Sequence, residues 1–202
     1  MTEPASSDAT DDAGVEDVPV WEDEYVDRVS DRLMFNYDLE RDRRVRGETF
    51  TLYGRLEMES RKQFFHPSIT YGHHELYEHL LTARRDRVTV ADLERLVDLG
   101  HDLADDWVDA DEEHYSTEFT FAVVVPDVSD DVRSFVSGFS DRTLLKYGYN
   151  GHYEIHLVVA APDREDVVAS ANADVDEAFR TWDTIEEEVH GPLARLKRRF
   201  LG

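Results

Sequence analysis

Phe119, Phe121, Val123 and Val125 alternate with Glu118, Thr120 and Ala122, the period-two pattern of a strand with one buried face. A short amphipathic stretch follows, with Val132, Phe135, Val136 and Phe139 at helical spacing. Two extended runs, 142–149 and 152–161, are then joined by Asn150-Gly151. That dipeptide suits a type I′ turn, which needs positive φ at both central residues. The implied register sets Tyr149, Tyr147 and Leu145 opposite His152, Glu154 and His156. Tyr153, Ile155, Leu157 and Val159 then form a core face, and the alternate positions form a polar one.

Elsewhere the periodicity changes character. Trp21, Tyr25, Val29 and Leu33 recur every four residues, which predicts an amphipathic helix ending near Met34. Residues 38–47, rich in arginine, read as a loop or a short ragged strand. Over 49–62, Phe50, Leu52, Leu56 and Met58 face one way and Tyr53, Arg55 and Glu57 the other, giving a long strand with a wet face. Leu76, Tyr77, Leu80 and Leu81 predict a helix over 73–85. Thr89 and Asp92 form a capping-box pattern ahead of a second helix through Leu93, Leu96, Leu103 and Trp107. Val175, Phe179, Trp182, Ile185 and Val189 predict a last long helix, broken at Gly191-Pro192.

The expected architecture is a single α+β domain over 19–202, in the order α-β-α-α-β-α-β-β-α. Its sheet has about four strands, mixed or antiparallel, with helices packed on one face. Residues 1–18 are acidic and offer almost nothing to bury, so they read as a disordered tail.

Composition narrows the function classes more than it names one. The chain of 202 residues carries 46 acidic and 22 basic side chains, a formal net charge of −24. Lysine is nearly absent, 3 residues against 19 arginines. This resembles the composition of cytosolic proteins from halophilic archaea, where molar salt shortens the Debye length to roughly 3 Å and screens self-repulsion. Acidity then carries no information about a basic partner. There is no cysteine, and so no disulfide or thiolate chemistry. No apolar run is long enough for a membrane span and no secretory leader is visible. The expectation is a cytoplasmic protein with no membrane association.

Three clusters carry candidate chemistry. Within 66–79, His74/Glu78 and Glu75/His79 are i,i+4 pairs on the expected helix, but the five-residue spacing of His74 and His79 defeats a zinc-protease reading. The second cluster is the polar face of the hairpin, with Tyr147, Tyr149, His152, Glu154 and His156 as candidate binding residues. The third is the basic C-terminal run Arg195, Lys197, Arg198 and Arg199, which suits a helix C-terminus as well as it suits a phosphate backbone. Gly-rich phosphate loops, nucleophile elbows and calcium loops are missing.

The leading expectation is therefore a non-catalytic binding or assembly domain, homodimeric or with a protein partner, needing no cofactor and not acting on nucleic acid. The alternative is a metal-dependent hydrolase using His152, Glu154 and His156 with His74. A further alternative is a nucleic-acid-associated regulator using the C-terminal basic helix.

Overall fold

The computed structural model describes residues 19–63 and 70–183, leaving aside the side chains of 59–63 and 70–74. The elements run α1 (Glu24–Leu33), β1 (Asp38–Val45), β2 (Glu48–Gln63), β3 (Thr70–Arg84), α2 (Val90–Trp107), β4 (His114–Val124), α3 (Asp130–Gly138), β5 (Asp141–Leu144), β6 (His152–Ala161), β7 (Asp166–Ala169) and α4 (Asp176–Phe179). They build one seven-stranded mixed sheet in the order β1-β2-β3-β4-β6-β5, with β7 also paired to β6. The first three strands are an antiparallel meander. The β3–β4 and β4–β6 pairs are parallel, and α2 connects β3 to β4 as parallel pairing requires.

Helix starts are written locally. Asp23 caps α1 by accepting from the amides of Tyr25 and Val26, and Thr89 and Asp92 close the capping box on α2. Gly100 lets α2 lie close on the sheet, since a Cβ there would stand 2.8 Å from Ile155 Cδ1.

Two cores flank the sheet. On one face Leu93, Leu96 and Leu103 of α2 and Val132 and Val136 of α3 pack on Phe119, Phe121, Ile155, Leu157 and Val159. On the other, Tyr25, Val26, Val29 and Leu33 of α1, with Phe179 of α4, cover Leu52, Leu80, Ala122, Val124, Val158 and Ala160. The Tyr25 hydroxyl donates to the Phe179 carbonyl at 2.6 Å, pinning α4 to α1. Burial pushes that phenol far above its usual range.

The α+β class holds, but the sheet has seven strands rather than four, and helices lie on both faces rather than one. The segment 73–85 is a strand, not a helix. In β3, Leu80 serves one core while Leu81 and Ala83 serve the other, and Leu76 is buried as well. A strand buried on both sides carries apolar residues at both parities, and over a dozen positions this imitates a helical stripe. Within the 38–47 segment, Asp38–Val45 forms an eight-residue strand kinked at Asp42, and β7 was not anticipated. The expected last helix is only the four-residue α4, which gives way to a turn over 180–183 that includes Trp182; residues 184–202, with the basic C-terminal run, and the tail 1–18 lie outside the described residues.

The expected hairpin is also corrected. Strand β5 stops at Leu144, and a short helical turn over 145–148 carries the chain to Asn150-Gly151. Leu144 pairs with His152, Thr143 with Tyr153 and Arg142 with Glu154. Arg142, not Tyr147, thus faces Glu154.

Candidate functional site

Strand register assembles a polar cluster on the α1 side of the sheet. Glu118 and Glu154 are partners on adjacent parallel strands, and Glu78 is Glu118's partner on the other side. Glu118 and Glu154 are only 7% and 6% exposed. His156, 3% exposed, directs Nε2 toward Glu154 at 3.5 Å and Glu118 at 3.6 Å, too far for good hydrogen bonds. His152 places Nε2 3.1 Å from the Glu154 carboxylate. Its Nδ1 lies 3.3 Å from an Arg142 guanidinium nitrogen. Arginine only donates, so His152 Nδ1 is the acceptor and the neutral ring carries its proton on Nε2, facing Glu154. The Tyr37 hydroxyl donates to Glu78. The expected wet face is therefore a covered one: charges from four strands are held together where separating them is costly.

The structure thus brings together His152, Glu154 and His156, and adds Glu118, Glu78 and Arg142. It leaves out Tyr147 and Tyr149, which stand 96% and 87% exposed on the loop after β5. Lys146 and Tyr147 both have positive φ, 44° and 61°, a costly backbone for non-glycine residues. Asn150-Gly151 serves this loop differently from a two-residue hairpin turn. Gly151 lies so close to β4 that a Cβ would come 2.1 Å from the Tyr115 carbonyl oxygen. The Asn150 carbonyl accepts from His114 Nδ1 at 2.8 Å, which leaves Nε2 to accept from the Thr117 hydroxyl at 2.9 Å.

The i,i+4 pairs of the 66–79 segment lie on β3, where four residues span about 13 Å. Glu75 and His79 are therefore too far apart to share an ion. The His74 side chain lies outside the described residues. Among the described residues, no three His, Asp or Glu side chains are arranged to hold a metal ion.

The opposite face carries a site that the periodicity did not reveal. A cleft of about 510 Å³ opens between β1–β3 and the end of α2, within the size range of small-molecule sites. His79 lies at its floor, stacked on Phe119 with centroids 5.1 Å apart and on Tyr53 at 6.1 Å. Trp107 meets it edge-on at 5.0 Å. The Tyr53 hydroxyl is 2.8 Å from His79 Nδ1. Burial, aided by Arg55 and Arg43, lowers the His79 pKa to about 4, so the ring is uncharged at neutral pH. Burial also raises the Tyr53 phenol.

Charged groups form the walls. Arg43 lies over the Tyr53 ring at 4.9 Å and binds Glu40. Arg55 lies over Tyr77 at 5.8 Å and binds Glu57. Tyr77 donates to Glu75 at 2.8 Å; burial and this carboxylate push its phenol up to about 12. Asp109 and Asp111 line the far side. Finding this cleft needed β3 as a strand, because only then do Tyr53, His79 and Phe119 become neighbours across three strands.

A mixed seven-stranded sheet covered on both faces, with a ring-floored cleft beside α2, defines an α+β domain with a preformed cavity. The profile of the family described as domain of unknown function DUF8052 matches residues 22–181, and the chain belongs to that family. Neither the curated proteins nor the solved structures contain a match. No helix among the described residues is long and apolar enough to cross a membrane.

Proposed function

We propose that this is a non-catalytic binding domain whose ligand occupies the cleft between β1–β3 and α2. The observation that carries the reading is a set of rings held rigidly at the cleft: Tyr53, His79 and Trp107 line it, buried Phe119 stacks on His79 from within the core, and His79 stays neutral. Rings already fixed by packing cost little to order, the half-exposed Trp107 gives a ligand a surface to lie on, and polar groups at the rim select what binds. The covered Glu118–Glu154–His156 cluster ties β4 to β6 behind those rings in a structural role. The acid-rich, lysine-poor composition supports a salt-adapted protein, so the site is to be tested in molar potassium chloride.

A protein-observed NMR screen of a chemically mixed fragment library, run on the full chain in 1 M KCl, tests the reading. Binders should move the Trp107 indole and His79 ring signals, and Trp107→Ala should abolish those responses. A library that moves neither ring, or moves only signals on the α1 face, overturns it.

A further inference from the structure

The cleft carries both signs of charge, with Glu40 beside Arg43 on β1. Its cations, Arg43 and Arg55, stand on β1 and β2, whereas Glu75 begins the described side chains of β3 and Asp109 and Asp111 follow α2. Each guanidinium is held without being used up: Glu40 engages Nη1 of Arg43, and Glu57 engages Nη2 of Arg55. A guanidinium carries five donors, so both retain N–H groups for a second carboxylate. Elsewhere in the cleft, Tyr77 holds Glu75, and the backbone amides of Glu113 and His114 hold Asp111. The uncharged rings of Tyr53, His79 and Trp107 line the same cleft.

That layout discriminates by charge. A simple anion reaching the arginines would face the carboxylates of Glu40, Glu75, Asp109 and Asp111. A simple cation would face two guanidinium groups. At molar salt, charges beyond about 3 Å are screened, so a ligand gains only from poles it touches directly. A molecule with one pole of each sign touches groups of both signs and lays its middle on the rings.

Building on the binding-domain reading, we propose that the cleft takes a small zwitterion with a flat apolar body, an aromatic amino acid being the simplest member. Its carboxylate lies against Arg43 and Arg55, and its ammonium group lies against Glu75 and Asp109. The rings cover the body, with Trp107 edge-on to His79.

The test compares L-phenylalanine with two probes that each lack one pole, 2-phenylethylamine and 3-phenylpropanoate. All three are titrated against the full chain in 1 M KCl, following the His79 and Trp107 signals. L-Phenylalanine should bind at least tenfold more tightly than either single-pole probe. Arg55→Gln should weaken L-phenylalanine and 3-phenylpropanoate while sparing 2-phenylethylamine, and Glu75→Gln should do the reverse. Both sites are on the surface, and an unchanged amide spectrum confirms that each variant is folded. If a single-pole probe binds as tightly as the zwitterion, or only other library fragments bind, the zwitterion proposal falls and the cleft reading stands. If no probe and no fragment moves the rings, both fall.

Discussion

Glu118 and Glu154 are register partners on two parallel strands, and the His156 imidazole nitrogen sits between their carboxylates. Adjacent strands run about 4.8 Å apart, so the pair is held at short range on a covered face. His156 is the group that reaches both of them. Replacing it, as in His156→Leu, should lower stability by about 1–3 kcal/mol, because the buried carboxylates lose a polar neighbour. Adding Glu154→Gln should recover part of that loss, through a coupling of about 0.5–3 kcal/mol. Urea unfolding of the two single variants and the double variant gives the cycle; strict additivity would refute the coupling.

His79 should make stability depend on pH. Its folded pKa of about 4 lies below the ordinary value of 6.5. Between those values the unfolded chain binds a proton that the folded chain does not, so stability rises with pH across the window. It is fully present above about pH 6.5 and is lost progressively as the pH falls toward 4. The shift corresponds to roughly 3 kcal/mol. An NMR titration should show the His79 ring neutral at pH 5, and His79→Phe should flatten that part of the stability profile.

The fold was legible wherever apolar and polar positions alternate at one period or a cap is local. The α1 stripe, the Thr89–Asp92 box and the β4 alternation needed only neighbouring residues. What failed was β3, whose two buried faces erase the period-two signal. With β3 taken as a helix, Tyr53 looked solvent-facing, His79 looked like half of an i,i+4 pair, and the cleft did not exist. Glu118 was hidden for a different reason. Its closeness to Glu154 depends on β4 and β6 pairing in parallel although the two residues stand 36 positions apart in the sequence, and no local pattern reports that.

Gly151 and Gly148 separate two kinds of glycine requirement. Both have positive φ, 73° and 89°, but a Cβ at 148 meets nothing within 4 Å while one at 151 strikes the Tyr115 carbonyl. Gly148→Ala should cost about 1 kcal/mol, the conformational penalty alone. Gly151→Ala should cost at least twice as much, since β4 or the loop must move. Thermal unfolding of the two variants decides it, and equal losses would show that the close approach is relieved cheaply.

Tyr147 and Tyr149 should be dispensable for ligand binding, although they were prime candidates from the pattern. With both side chains almost fully exposed, Tyr149→Ser should change stability by less than about 0.5 kcal/mol. Tyr147→Asn should raise it by up to about 1 kcal/mol, because asparagine tolerates the left-handed backbone better. Neither should alter the response of the cleft rings in the titrations above.

Strand β6 divides one edge between two partners: β5 pairs with its first half and β7 with its second. At the seam, the Leu157 amide donates to the Ser170 hydroxyl, and the Ser170 amide donates to the Leu157 carbonyl, each at 2.9 Å. The outer strands there are four residues long. At the far edge, β1 presents Glu40, Arg41, Arg43 and Arg44, with Asp42 twisted to positive φ. Short, charged and kinked edges are poor templates for a further strand. The sheet is therefore closed to growth at both ends, which protects a protein with so much β structure from polymerising through its backbone.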